Sequence, residues 1–187
     1  PARQEKAEGL PAEEIIELCR PVAAAGGLYA SHIRSEDAGL EDAIEEVIRI
    51  HRESGVAVHV SHLKVSKRWN WHKMDWLRKR LFAAIAEGVD LTADRYPYLA
   101  AATGLDAVLP HWVYEGTDAD MRRRLEAPGT RRKAAREAEG HFPTRADWDA
   151  VCIALADRDE NRAWEGRRLT DIARELKGKV FDTGTEN

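Results

Sequence analysis

The sequence predicts an α/β fold in which short parallel strands alternate with helices laid along their outer face. Two apolar stretches, Gly27-Leu28-Tyr29-Ala30-Ser31 and Val56-Ala57-Val58-His59-Val60-Ser61, run directly into His32 and His62. The two histidines stand thirty residues apart, the length of a strand, a crossover helix and the next strand. Such units pair in parallel and are right-handed almost without exception. An amphipathic helix fills the interval, with Leu40, Ala43, Ile44, Val47, Ile48 and Ile50 at helical spacing and Glu41, Asp42, Glu45, Glu46 and Arg49 on the remaining face. Both imidazoles therefore leave the same end of neighbouring strands, whose backbones run about 5 Å apart. From there they can converge on one ion at about 2.0–2.1 Å.

Residues 11–25 read as a helix with Pro11 in its first turn and Gly26-Gly27 as its stop. The first strand follows, then the helix of residues 39–54, then the second strand. A second outer helix covers residues 72–87, with Leu77, Leu81, Ala84 and Ile85 set against Lys73, Arg78, Lys79 and Arg80, and Gly88 ends it. A third strand runs from Val89 through Thr92 into Asp94-Arg95-Tyr96-Pro97-Tyr98, so three successive strand ends carry polar chemistry. Beyond Tyr98 the alternation stops. A helical run is expected over 119–140, a short strand over 148–156, and a helix over 169–176 introduced by Asn161 and ended near Gly178. The expected organisation is 1–100 as βα units of a barrel, 101–178 as a mostly helical insertion or lid, and 179–187 as a flexible tail.

Composition narrows the function. With 33% charged and 43% hydrophobic residues, the 187-residue chain has the make-up of a globular protein. Its 29 basic and 33 acidic side chains leave a formal charge of −4, which offers no general attraction to nucleic acid. Arg122-Arg123-Arg124 and Arg131-Arg132-Lys133 are interleaved with Asp118, Asp120, Glu126 and Glu139 and read as solvated helix faces. No apolar run approaches the roughly 18 residues needed to span a bilayer, and the polar start, residues 1–8, lacks a signal-peptide core. Cys19 and Cys152 are too few for a disulfide framework, and a cytoplasmic location is expected.

A lone histidine at a strand end is more often structural than ligating. Two at matching ends, one followed by a lysine two residues on, favour a metal site. By strand alternation Lys64 faces the same way as His62, whereas His59 faces the opposite way and is assigned to the helix-facing layer. His51, His72, His111 and His141 fall in helices or loops, where surface roles are expected. Arg34 and Glu36 lie in the loop after His32, as an ion pair, a second shell or substrate contacts. Trp69, Trp71 and Trp76 line either a substrate entrance or a packed contact.

Several motifs together resemble one family. Tyr29-Ala-Ser-His32-Ile-Arg34-Ser-Glu36, Val60-Ser-His62-Leu-Lys64, Ala93-Asp94-Arg-Tyr96-Pro-Tyr98, Thr103-Gly104-Leu105, Leu109-Pro110-x-Trp112 and Glu160-Asn161-Arg162 with Gly166, Leu169, Ile172 and Ala173 follow one another in order. They resemble the D-aminoacylase (N-acyl-D-amino-acid deacylase) branch of the amidohydrolase superfamily over residues 11–178. The resemblance implies a partial TIM-like (β/α) barrel that binds zinc and hydrolyses the amide of an N-acyl-D-amino acid. It implies His32 and His62 as zinc ligands. Lys64 would meet the substrate carboxylate or the developing oxyanion, Tyr96 would hydrogen-bond substrate near the scissile carbonyl, and Arg34 would contact substrate. A zinc-held water and a cationic or phenolic donor suit amide hydrolysis.

The sequence also departs from that branch. It has no His-x-His on an early strand and no bridging cysteine, since Cys19 falls on the helix before the His32 strand. Ala102 stands where the family often has a serine. The acid/base aspartate is missing as well, and Asp182, in the polar tail, is a poor substitute. Two imidazoles make half of a four-coordinate zinc site. The expectation is therefore a middle portion of a longer hydrolase, inactive alone, that self-associates or meets the missing remainder of its barrel. The alternative is a catalytically degenerate barrel module that serves ligand binding or subunit assembly.

Overall fold

The computed structural model of the chain describes residues 10–177, which divide after Tyr98 into two units. In the first, α1 (Ala12–Ala24), β1 (Leu28–Ser31), α2 (Leu40–Ser54), β2 (Ala57–Val60), α3 (Met74–Ala86) and β3 (Leu91–Ala93) follow one another as the periodicity requires. The strands form one parallel sheet in the order β1-β2-β3. Leu28 pairs with Ala57 and Ser31 with Val60, while Val58 pairs with Leu91 and Val60 with Ala93. Among the described residues β1 and β3 each keep one edge without a strand partner, so the three strands form an open sheet.

The core lies between sheet and helices. Every apolar position foreseen on α2, from Leu40 to Ile50, is buried, and these side chains pack with Val56 just before the second strand, Val58 and Val60 within it, Ile16 and Cys19 of α1, and Leu77 and Ala84 of α3. Gly55, at φ +77°, ends α2 in the left-handed conformation that glycine adopts without strain. On α3 the buried stripe is narrower than expected, because Ile85 is exposed.

Three boundaries differ from the sequence reading, each for a local reason. The second outer helix begins with a 3-10 turn at Arg68–Lys73 and becomes α-helical only at Met74. The third strand starts at Leu91 rather than Val89. Gly88 takes φ +93° and the Val89 N–H donates to the Ala84 carbonyl at 3.0 Å, so Val89 closes the helix instead of entering the ladder. In the second unit the run expected over 119–140 is two helices, α4 (Asp118–Glu126) and α5 (Pro128–His141). Ala127, which precedes the proline, is extended at φ −73°, ψ 117°, because a following proline ring crowds the helical conformation.

The strand expected over 148–156 does not form. Thr144 and Asp147 make a reciprocal capping box that starts α6 (Arg145–Asp149), and only an isolated antiparallel bridge, Cys152 with Arg168, survives from that stretch. A 3-10 turn at Asp159–Trp164 precedes α7 (Leu169–Lys177). Gly178, Asp182 and the tail from residue 179, like residues 1–8, lie outside the described residues.

Ile48 is fully buried between sheet and helices. Truncation to Ile48→Ala is expected to cost roughly 2–5 kcal/mol of stability, measured by urea unfolding of the full chain. A loss below about 0.5 kcal/mol, the range of surface substitutions, would contradict this packing.

Candidate metal centre

The parallel register carries β1 and β2 out of the sheet side by side. Beyond the last ladder pair the Ser61 N–H still donates to the Ser31 carbonyl at 3.0 Å, so the chain reaches His32 and His62 from adjacent tracks. Their ring centroids are 4.2 Å apart at an interplanar angle of 46°, and His32 Nδ1 directly faces His62 Nε2. Two ring nitrogens thus point into one small space.

His62 gets there by leaving the strand conformation. β2 ends at Val60, and His62 adopts φ +42°, a region that side chains other than glycine enter only when the surroundings hold them there, at about 1–3 kcal/mol. Asp94, just past the end of β3, supplies the hold. Its Oδ1 accepts the His62 N–H at 2.7 Å and its carbonyl accepts the Leu63 N–H at 2.9 Å.

This turn corrects two expectations that rested on unbroken alternation. Val58 and Val60 fill the helix-facing core, so His59 lies on the opposite face of the sheet and not in the helix-facing layer. Its Nε2–H donates to Asp94 Oδ2 at 2.9 Å and its Nδ1 meets the Thr92 hydroxyl at 2.7 Å. Lys64 reaches His62 through the turn, not by strand periodicity, and its Nζ lies 2.9 Å from His62 Nδ1.

Around that nitrogen a small polar cluster assembles. Glu36 Oε1 is 2.8 Å from His62 Nδ1 and 2.5 Å from Lys64 Nζ, and Glu36 Oε2 accepts the Ser66 hydroxyl at 3.2 Å. The loops after β1 and β2 are also tied by Ser66 N–H to the Glu36 carbonyl at 2.6 Å and by Lys67 to Asp37 at 2.9 Å. Tyr96 lies near Lys64, whose ammonium is 5.9 Å from the ring centroid.

Arg34 is placed elsewhere. Its Nε donates to Glu46 of α2 at 2.8 and 2.7 Å and Nη2 to the Leu10 carbonyl. Of the roles open to it, the structure shows the ion pair, because Glu46 on the adjacent helix lies within its reach. Trp76 packs partly against the core, while Trp69 and Trp71 are exposed in the 3-10 turn. His51 is tied to the Val56 carbonyl and His72 to the Trp69 carbonyl.

Sequence reasoning assigned no task to Asp94 or His59 and left Glu36 open. Their signal was available in part, since Asp94 follows β3 as His32 follows β1. Among the described residues no group of three or more His, Cys, Asp or Glu is placed to hold a metal ion; the site brings together the two rings of His32 and His62.

The His59 ring and the His62 N–H together hold the Asp94 carboxyl below the usual carboxylate range. A carboxyl lowered by folding stabilises the native state above its unfolded value of about 3.9 and loses that contribution as pH falls through the lower native value. Asp94→Asn is expected to make stability less dependent on pH below about 4, read from urea midpoints across an acid series. An acid limb as steep as that of the native chain would show that this hold does not titrate as described.

Known proteins resemble the chain in sequence and in fold. A D-aminoacylase of Alcaligenes xylosoxydans xylosoxydans is 44% identical over 93 residues, 50% of this chain and 19% of that enzyme. An N-acyl-D-glutamate deacylase of the same organism is 39% identical over 90 residues, 48% of this chain and 18% of that enzyme. The chain therefore spans about a fifth of the length of the curated relatives it matches. No protein-family model matches it. Among solved structures, a D-aminoacylase described as defining a novel subset of amidohydrolases superposes with a TM-score of 0.57 at 29% identity, covering 90% of this chain and 27% of that one. The N-acyl-D-glutamate deacylase of Bordetella bronchiseptica, complexed with zinc and a phosphonate mimic of the tetrahedral intermediate, gives 0.60 at 26% identity over 89% of this chain and 27% of that one. The homologues and structural neighbours of this chain are thus D-aminoacylases and N-acyl-D-glutamate deacylases of the amidohydrolase family, with sequence likeness over about half of it.

Proposed function

We propose that this chain is the metal-binding middle portion of a zinc-dependent, TIM-like barrel hydrolase that removes the acyl group from N-acyl-D-amino acids. The observation that carries the reading is the convergence of His32 Nδ1 and His62 Nε2 at the exits of adjacent parallel strands. Active sites of (β/α) barrels form at this end of the sheet. Paired imidazoles are donors of the kind zinc takes, and the residues present fit the ion as two of its ligands. The remaining ligands and the acid/base carboxylate belong to parts of the barrel beyond these strands. The N-acyl-D-glutamate deacylase named above, complexed with zinc, supports the metal.

A zinc ion held by these rings supplies a water acidified to about pKa 7 and a Lewis acid for the amide carbonyl. The chain's own side chains provide the rest. Lys64 carries a cation beside the paired rings, suited to the substrate carboxylate or to the oxygen that gains charge as the amide is attacked. The Tyr96 phenol, close to Lys64, donates a hydrogen bond to substrate near the scissile carbonyl. The free state of Cys19 and Cys152 suits a cytoplasmic site of action.

The test is zinc content and turnover of N-acetyl-D-amino acids by the full-length protein. Replacing His32 or His62 by Ala is expected to abolish both, whereas Lys64→Met retains zinc and raises KM. Unchanged turnover in the histidine variants would refute the assignment. A native protein free of zinc and inactive would favour the degenerate module.

A further inference from the structure

Among the described residues His62 and Lys67 are the two non-glycines with positive φ. A turn of that kind needs a hold, and the hold must itself be aimed. Asp94 Oδ1 accepts the His62 N–H at 2.7 Å. The Asp94 backbone is fixed by two bonds to the chain leaving β2, its N–H to the Val60 carbonyl at 3.2 Å and its carbonyl to the Leu63 N–H at 2.9 Å. Those bonds place the Cα and leave the carboxylate free to turn about the side-chain torsions. The Asp94 side chain is 58% exposed, so water competes for its oxygens.

His59 removes that freedom. It is the ladder partner of Thr92, on the face of the sheet turned away from the helices, where the core valines of β2 have no part. A carboxylate can only accept hydrogen bonds, so His59 Nε2–H is the donor to Asp94 Oδ2 at 2.9 Å. The other ring nitrogen meets the Thr92 hydroxyl at 2.7 Å. With the ring pinned at both nitrogens, Oδ2 is drawn to one side and Oδ1 is left turned to the His62 N–H.

We infer that His59 is a positioning residue of the metal centre, which by holding the Asp94 carboxylate keeps His62 in the left-handed turn that brings its ring to His32. The inference deepens the reading of His62 as a ligand and rests on it. From the Thr92 hydroxyl through the His59 ring and the Asp94 carboxylate to the His62 N–H, no link exceeds 2.9 Å. An acid paired at so exposed a place adds little stability. What the pair supplies is direction. Once the carboxylate swings into water, His62 is free to relax to negative φ, and its Nε2 leaves the space it shares with His32 Nδ1. Groups that orient a metal ligand from behind are typically worth about 10- to 100-fold in metal affinity.

The experiment compares His59→Phe, which keeps an aromatic ring without a donor, with His59→Gln, whose amide nitrogen stands in for Nε2–H. Two properties are read on the full chain. One is the nuclear Overhauser contact between the amide and Hα protons of residue 62 in the metal-free protein, strongest at positive φ because the two protons then lie closest. The other is zinc affinity, from competition with a chelating dye. His59→Phe is expected to weaken the contact and to lower zinc affinity about tenfold, the lower end of that range, and His59→Gln to restore both. In an Asp94→Ala background His59→Phe should add nothing, since it acts through the carboxylate. A His59→Phe protein native in both properties would overturn the inference. So would a His59→Gln protein as impaired as His59→Phe, or losses that add in the Asp94→Ala background. Should His59→Phe fail to fold, Thr92→Val, which removes only the hydroxyl that pins the ring, decides by the same two properties. A native chain that binds no zinc would defeat the metal reading itself, and the residue 62 contact would still tell whether His59 sets the turn.

Discussion

Ser31 and Val60 lie opposite each other in the parallel ladder, and the Ser61 N–H closes one more bond to the Ser31 carbonyl at 3.0 Å. Everything at the candidate site follows from that register. A slip of one residue would turn each strand's inward set to the other face, moving Val58 and Val60 out of the core and separating the two histidine exits. The packing of α2 resists such a slip, because its buried isoleucines and leucine share one core with the valines of β2. The same hydrophobic contacts that make the unit fold thus set the spacing of its polar ends.

The second layer of control is electrostatic and lies in the loops. His62 is held in a left-handed conformation by a carboxylate from the neighbouring strand end, and its ring accepts the Lys64 ammonium beside a carboxylate from the preceding loop. Asp94 therefore fixes the backbone of His62, while Glu36 holds the lysine that meets its imidazole. Strain held in this way is characteristic of sites where geometry matters more than local stability. Lys64 and His59 each bring a partner to one of these carboxylates, which gives every acid at the site a hydrogen-bonding neighbour.

Much of this was legible in the residues. The apolar face of α2, the parallel pair ending on His32 and His62, and the helical character of the second unit follow from periodicity and from the thirty-residue spacing. The parity of side chains beyond Val60 did not. A histidine at φ +42° leaves no mark in composition, and assuming an unbroken strand placed His59 on the wrong face. The partner of Arg34 was hidden for a different reason: Glu46 is twelve residues away in sequence, on the adjacent helix. The break at Ala127 was written in the following proline, whereas the loss of a strand around Cys152 depended on the capping box that Thr144 and Asp147 form three residues apart.

The most direct measurement is X-ray absorption at the zinc edge of the metal-loaded protein. The account predicts nitrogen scatterers at about 2.0–2.1 Å with the outer-shell pattern of imidazole, and the loss of one imidazole contribution on replacing either His32 or His62. A spectrum that neither replacement alters would contradict it.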